Sequence, residues 1–144
     1  MKKILILGAG EMQVPVIKKV NELGIYSYVA DYNPLAPGFI IANQKVIVST
    51  NDYEGILSIA KQFDVDGILT TSDFPVNIVA KVSQQLGLYS MTEYVAEICT
   101  NKFKQRILFQ RAIINVPFFK LCRDISDTKS LNNFPYIVKP VDSS

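Results

Sequence analysis

The sequence predicts an α/β fold built on a parallel sheet. Three observations predict it: apolar runs without alternation, amphipathic helical spacing between them, and glycines where those helices should end. Ile4 to Leu7 are apolar at every position, as expected of a strand covered on both faces. Val16, Ile17, Val20 and Leu23 then recur at helical spacing, with Lys18, Lys19 and Glu22 opposite them and Gly24 as the stop. Strand and helix keep alternating through residue 87.

Between that first strand and helix lies Gly8-Ala9-Gly10-Glu11. Two glycines let the backbone turn tightly and let another group approach it. Pro15 is tolerated in the first helical turn, where its missing N–H has no partner to lose. Ile25 to Ala30 read as a second strand ending at Asp31, followed by the turn-rich connection Tyr32-Asn33-Pro34-Leu35-Ala36-Pro37-Gly38. Phe39 to Ala42 fit one short helical turn, and Lys45 to Ser49 a third strand. Asn51 and Glu54 stand at capping-box spacing before a helix over Tyr53 to Phe63. Gly67 to Thr71 form a fourth strand. The next helix starts with Ser72 or Asp73 as N-cap and Pro75 in its first turn, buries Val76, Val79, Val82 and Leu86, and closes at Gly87. This is a doubly wound, Rossmann-like order.

From Thr92 the pattern changes. A helical stretch runs to Ile114 with a break at Thr100-Asn101, where a second helix can be capped. Phe118 to Cys122 and Tyr136 to Pro140 read as strands, and Ser126 to Asn132 as a polar segment with room for a short helix. We divide the chain into a Rossmann-like domain over residues 1–91 and a second part over 92–144. The sequence stops soon after an apolar strand and Lys139-Pro140, an unusual place to finish, so it reads as the first part of a longer protein.

Composition narrows the chemistry. With 144 residues and 49% hydrophobic content the chain can build a real core. A net charge of +2 without basic blocks does not suggest nucleic acid. No apolar run reaches the ~18–20 residues that span a bilayer, and Lys2-Lys3 leads into too few apolar residues for a signal peptide. The expected location is the cytoplasm. Cys99 and Cys122 form no CxxC pair and read as reduced, partly buried thiols. The chain has no histidine, which removes His-based triads, most zinc sites and histidine general bases.

Gly8 and Gly10 match the start of the dinucleotide pattern G-x-G-x-x-G, but the third position is Gln13. Asp31 mimics the acidic residue that would hold an adenosine ribose. A tight strand–helix connection explains the turn better than a cofactor site. Glu11 either complements the positive end of the helix dipole or faces the crevice beyond the strand ends, where ligands of such sheets bind. Asp73 should face the same crevice unless it serves as a cap. Lys139 ends an apolar strand, a costly place for a lysine unless it meets an anion such as a phosphate chain. Lys102 lies in Asn101-Lys102-Phe103-Lys104-Gln105-Arg106, where the plainer alternative is a solvated helical lysine.

In these features the sequence resembles the ATP-grasp superfamily, specifically relatives of the carbamoyl-phosphate synthase large chain and similar carboxylate–amine ligases. The residues that carry the resemblance are the Asp31…Asn33-Pro34…Pro37 connection, the strand ending in Thr70-Thr71-Ser72-Asp73, the Asn101-Lys102-x-x-x-Arg106 segment and Val138-Lys139-Pro140. It covers the whole chain. The resemblance implies a Rossmann-like pre-ATP-grasp domain followed by helices and the first strands of a truncated ATP-grasp domain. It implies ATP as cofactor with Mg²⁺, Lys102 and Lys139 on the nucleotide, and Ser143-Ser144 at the start of a phosphate loop. Gly8, Gly10, Glu11 and Asp73 would border the substrate, with no catalytic or metal-ligating residue assigned in this chain. The implied substrates are a small-molecule carboxylate and an amine or ammonia, with no nucleic acid or membrane partner and a homodimer left open. No glycine follows Ser144 and the acidic magnesium ligands are absent, so the chain alone should be inactive. The rival reading is a non-catalytic NAD(P)- or nucleotide-sensing domain.

Overall fold

A computed structural model describes residues 1–132 and 134–142. It divides into two compact units, Met1–Glu97 and Ile98–Ser144.

The first unit is organised around β1 (Lys3–Leu7), as its uninterrupted apolar run requires. β2 (Tyr26–Asp31), β3 (Gln44–Ile47) and β4 (Gly67–Thr70) complete a four-stranded sheet in the order β3-β2-β1-β4, every pairing parallel. Leu5 stands between Tyr28 and Ile68 in the register. Successive side chains of a strand point to opposite faces, so β1 feeds two cores. Leu5 and Leu7 join Ile56, Leu57 and Ala60 of α2 (Tyr53–Phe63) and Val79 and Val82 of α3 (Val76–Gln85). Ile6 joins Ile17 and Val20 of α1 (Val14–Glu22) on the other face. Leu5, Ile6 and Leu7 are fully buried, worth about 1.5–3 kcal/mol each. With one helix on one face and two on the other, the expected doubly wound α/β arrangement is present.

Two helix starts differ from expectation. The N-cap of α2 is Asp52, whose carboxylate accepts the Gly55 amide at 3.0 Å, while the Asn51 amide donates to the Ser49 hydroxyl. A cap must reach the backbone two or three residues ahead of it, and Asp52 is the residue placed to do so. α3 starts at Val76 with Pro75 as N-cap and no side-chain cap. Thr70 delays it: its hydroxyl donates to the Leu7 carbonyl at 2.9 Å and accepts the Ser72 amide at 3.1 Å. Residues 71–74 are thereby held in a turn, and Asp73 is released from the capping role.

α4 spans Glu93–Thr100, and α5 (Lys102–Arg111) begins at the predicted break, with the Asn101 side chain accepting the Lys104 amide at 2.9 Å. In the second unit a 3-10 segment over Ile125–Ser130 follows. Neither Phe118–Cys122 nor residues 136–140 forms a strand among the described residues. An apolar run becomes a strand only when its amides and carbonyls find a partner ladder, and neither segment has one here. Phe118 instead meets Tyr136 at 6.0 Å between ring centres, and Tyr136 also meets Phe134 at 5.2 Å. No described residue from 98 onward is buried. Cys99 and Cys122 are free, and both are exposed rather than partly buried. No helix among the described residues is long and apolar enough to cross a membrane.

Candidate functional site

The carboxyl ends of β1, β2 and β4 lie side by side, and β4 stands on the opposite side of β1 from β2 and β3. Chain direction across the sheet therefore reverses between β1 and β4, the place where open α/β sheets receive ligands. Three loops lie around it, held together by main-chain bonds and by the side chains of Asp31, Gln13 and Thr71.

The glycine turn sits at the centre. Gly8 has φ of +105°, which an L side chain rarely adopts, and donates its amide to Ala30 at 2.8 Å. Asp31, the suspected ribose acceptor, has both oxygens engaged at home. One accepts the Ala9 amide at 2.8 Å and the other the Asn33 amide at 2.9 Å. The connection after β2 folds back until the Gly38 amide reaches the Ala9 carbonyl at 2.7 Å. A short 3-10 turn over Pro37–Ile40, somewhat earlier than expected, makes that approach.

Gln13, which breaks the dinucleotide pattern, explains the glycines. It is 7% exposed and its side chain folds back under the turn. A Cβ at Gly8 would lie 3.2 Å from the Gln13 Cγ and Cδ, and one at Gly10 3.1 Å from its Oε1. The Gln13 amide nitrogen donates to the Thr71 hydroxyl at 3.1 Å and so ties the β1 loop to the β4 loop. Space that a third glycine would leave open is filled by this chain's own side chain. With Asp31 also engaged, the turn is a tight connection, not a dinucleotide cradle. Neither Gln13 nor Thr71 stood out as a site residue from sequence alone. The signal was there: an amide at a position normally kept bare, near the crowded base of a helix, needs a polar partner.

Gly8, Gly10 and Glu11 thus follow the carboxyl end of β1 and Asp73 that of β4, the two strands between which the sheet order reverses. Glu11 and Asp73 are exposed. A shallow depression lined by Tyr53, Lys81, Gln84, Gln85 and Glu93 includes none of them.

In the second unit, Lys102 opens α5, and its amide donates to the Val141 carbonyl at 2.9 Å. The helix start carrying Lys102 therefore adjoins the segment carrying Lys139. Lys139 is exposed, as are Ile137 and Val138 before it. The burial cost that made this lysine look anion-bound in the sequence does not operate here. Ser143 and Ser144 lie outside the described residues. Among the described residues no three His, Cys, Asp or Glu side chains converge as a metal site.

No family model matches the chain. Over 99% of its length it is 28% identical to the formate-dependent phosphoribosylglycinamide formyltransferase of Sulfurisphaera tokodaii. Its fold matches the N5-carboxyaminoimidazole ribonucleotide synthetase of Thermotoga maritima with a TM-score of 0.76, at 26% identity over 92% of this chain and 37% of that one. The chain is a relative of the ATP-grasp enzymes. What it shares with these ATP-grasp proteins is the α/β architecture of their N-terminal domain. The same fold match extends to the L-amino acid ligase of Bacillus licheniformis, with a TM-score of 0.77 at 24% identity over 99% of this chain and 38% of that one. The ATP-grasp relatives are longer: the chain spans 37% of the length of the Sulfurisphaera protein.

Proposed function

We propose that the chain forms the N-terminal part of a cytoplasmic, ATP-dependent ligase of the carbamoyl-phosphate-synthase-like kind, joining a small carboxylate to an amine or ammonia. Residues 1–91 would provide the acceptor wall and residues 92–144 the beginning of the nucleotide side. ATP would supply the phosphoryl group that turns the carboxylate into an acyl phosphate, its terminal phosphoanhydride bond breaking to release ADP. The amine nitrogen would then bond to the acyl carbon, the carbon–oxygen bond to phosphate would break, and the nitrogen would lose a proton as phosphate leaves.

The residues of this chain fit the nucleotide through Lys102 and Lys139, whose ammonium groups follow phosphate oxygens well. The observation that carries the reading is the Lys102 amide bond to Val141, which holds the two lysine-bearing segments together, in a chain related to ATP-grasp enzymes along nearly its whole length. Glu11 and Asp73, on loops tied by Gln13 and Thr71, would orient the substrate. Mg²⁺ is bound through carboxylates together with phosphates, and the described residues supply no such cluster, so no step is assigned to it here.

The test is ADP binding by the chain, followed by calorimetry. Lys102→Ala and Lys139→Ala should each weaken it by about 10- to 100-fold, as expected for a lost hydrogen bond between charged groups. Unchanged affinity in both variants would remove the lysines from the site and the reading with them.

A further inference from the structure

The two helical layers of the first unit have unlike outer surfaces. α1 presents Lys18, Lys19 and Glu22 to solvent, the ordinary composition of a hydrated helix. On α3 the exposed residues are Lys81, Gln84 and Gln85, with a single charge among them. Past its end Tyr89 is fully exposed, and Met91, Tyr94 and Val95 are exposed as well. Charge is sparse here while Tyr and Met are frequent, the composition that marks the centre of a protein–protein contact.

The segment carrying these side chains is held in place. The Leu88 amide donates to the Ser83 carbonyl at 2.8 Å, which fixes Tyr89 just beyond α3. The Thr92 hydroxyl accepts the Val95 amide at 3.3 Å at the start of α4. The depression lined by Tyr53, Lys81, Gln84, Gln85 and Glu93 shares this face, since Gln84 and Gln85 end α3 and Glu93 opens α4. It is shallow, and one aromatic among four polar side chains makes a poor enclosure for a small molecule. It suits a side chain arriving from another protein surface. Its Lys81 and Glu93 take part in no ion pair among the described residues.

A face with a projecting ring, a recess and one uncommitted charge of each sign is complementary to itself. In a twofold contact, whatever one residue meets on the other copy is met again in reverse, so a Lys81–Glu93 pair would form twice. We propose that the α3–α4 face is the contact between two copies of this chain related by a twofold axis. Tyr89 of each copy sits in the depression of the other, and Lys81 pairs with Glu93 across the axis. Gln84 and Gln85 carry both donors and an acceptor, so they can bond to the same residues of a second copy. The contact uses none of the residues assigned to the nucleotide or the substrate, and it stands apart from the ligase reading.

The test is sedimentation velocity of the full chain over a concentration series. The wild-type chain should show a monomer–dimer equilibrium. Lys81→Glu and Glu93→Lys each turn two attractions into two repulsions and should weaken the dimer roughly tenfold or more. Mixed in equal amounts, the two variants should recover a dimer, because every pair across the axis is again of opposite sign. Both substitutions in one chain should recover it in the same way. Tyr89→Ala should weaken the dimer about tenfold or more, as loss of a buried aromatic anchor does, and Lys18→Glu on α1 should leave it unchanged. All four positions are exposed, and unaltered circular dichroism would show that each variant keeps its fold. Three results would overturn the proposal: a wild-type chain that is monomeric up to about 0.1 mM, a dimer indifferent to Tyr89→Ala and to both single charge reversals, or charge reversals that the mixture does not rescue.

Discussion

Replacing Gly38 with alanine probes the frame of the crevice directly. A Cβ at this position would meet Ile17 Cδ1 at 2.6 Å, the Ala9 carbonyl oxygen at 2.8 Å and Ala9 Cα at 3.0 Å. The Ile17 methyl is the end of a flexible side chain and can turn aside. The Ala9 oxygen is backbone, anchored through the glycine turn to Ala30 and Asp31, and cannot. Relief therefore requires residues 37–40 to move away, which stretches the 2.7 Å bond from the Gly38 amide to that same oxygen. Overpacking of this kind costs about 1–3 kcal/mol, and the stiffer unfolded chain returns roughly 0.4–1 kcal/mol. A net loss of about 1–2 kcal/mol should lower the melting temperature of a unit the size of Met1–Glu97 by roughly 5–15 °C. The control is Gly67→Ala, whose Cβ would meet only Ile4 side-chain atoms at 3.8 and 3.9 Å. It should be neutral or slightly stabilising. Melting followed by circular dichroism compares the two. A Gly38→Ala variant that melts at or above the wild-type temperature would refute the close approach of the connection to the glycine turn.

Two further outcomes follow from the geometry. Asp66 accepts from the Lys2 ammonium at 2.6 Å and the Lys3 amide at 2.8 Å, and these bonds, led by that to Lys2, hold its carboxyl below the usual range. Its contribution is present above the unfolded-state value and is lost as pH falls through the lower folded-state value, below about pH 4; Asp66→Asn should flatten that acid limb of stability, and a carboxyl NMR titration checks the shift. Asn101→Ala removes the cap on the Lys104 amide, costing about 1 kcal/mol of helix stability, and hydrogen exchange should show reduced protection in the first turn of α5.

The first unit was legible because its signals are local. Ile4 to Leu7 could only be a doubly covered strand, and Gly24 and Gly87, at φ of +70° and +66°, end helices as their position suggested. Caps were harder. Asn51 and Asp52 are equally good capping residues, and which one stands at the helix start depends on where Ser49 holds the preceding amide. Ser72 and Asp73 lost the role because a hydroxyl from Thr70 reached the turn first. The strand readings at 118–122 and 136–140 failed for a different reason: an apolar run records a preference, while a ladder needs a second segment that no single window contains. Of the site, the glycine turn and its two acidic flanks were visible, but the closure of that turn by Gln13 and Thr71 spans 58 residues and was not.

The loops at the carboxyl edge are framed by main-chain bonds and by a few short side chains, the Asp31 carboxylate, the Gln13 amide and the Thr70 and Thr71 hydroxyls. Gly8 to Ala30 and Gly38 to Ala9 are backbone bonds, while Asp31 holds the amides of Ala9 and Asn33 and Gln13 holds Thr71. Met12, Tyr32, Leu35 and Phe74 project from this frame and take no part in holding it. Such a scaffold separates inheritance of shape from the chemistry of its surface: the projecting residues can be exchanged one at a time, each trial leaving the backbone where it was. A lineage built this way can vary that surface by small steps without passing through an unfolded ancestor.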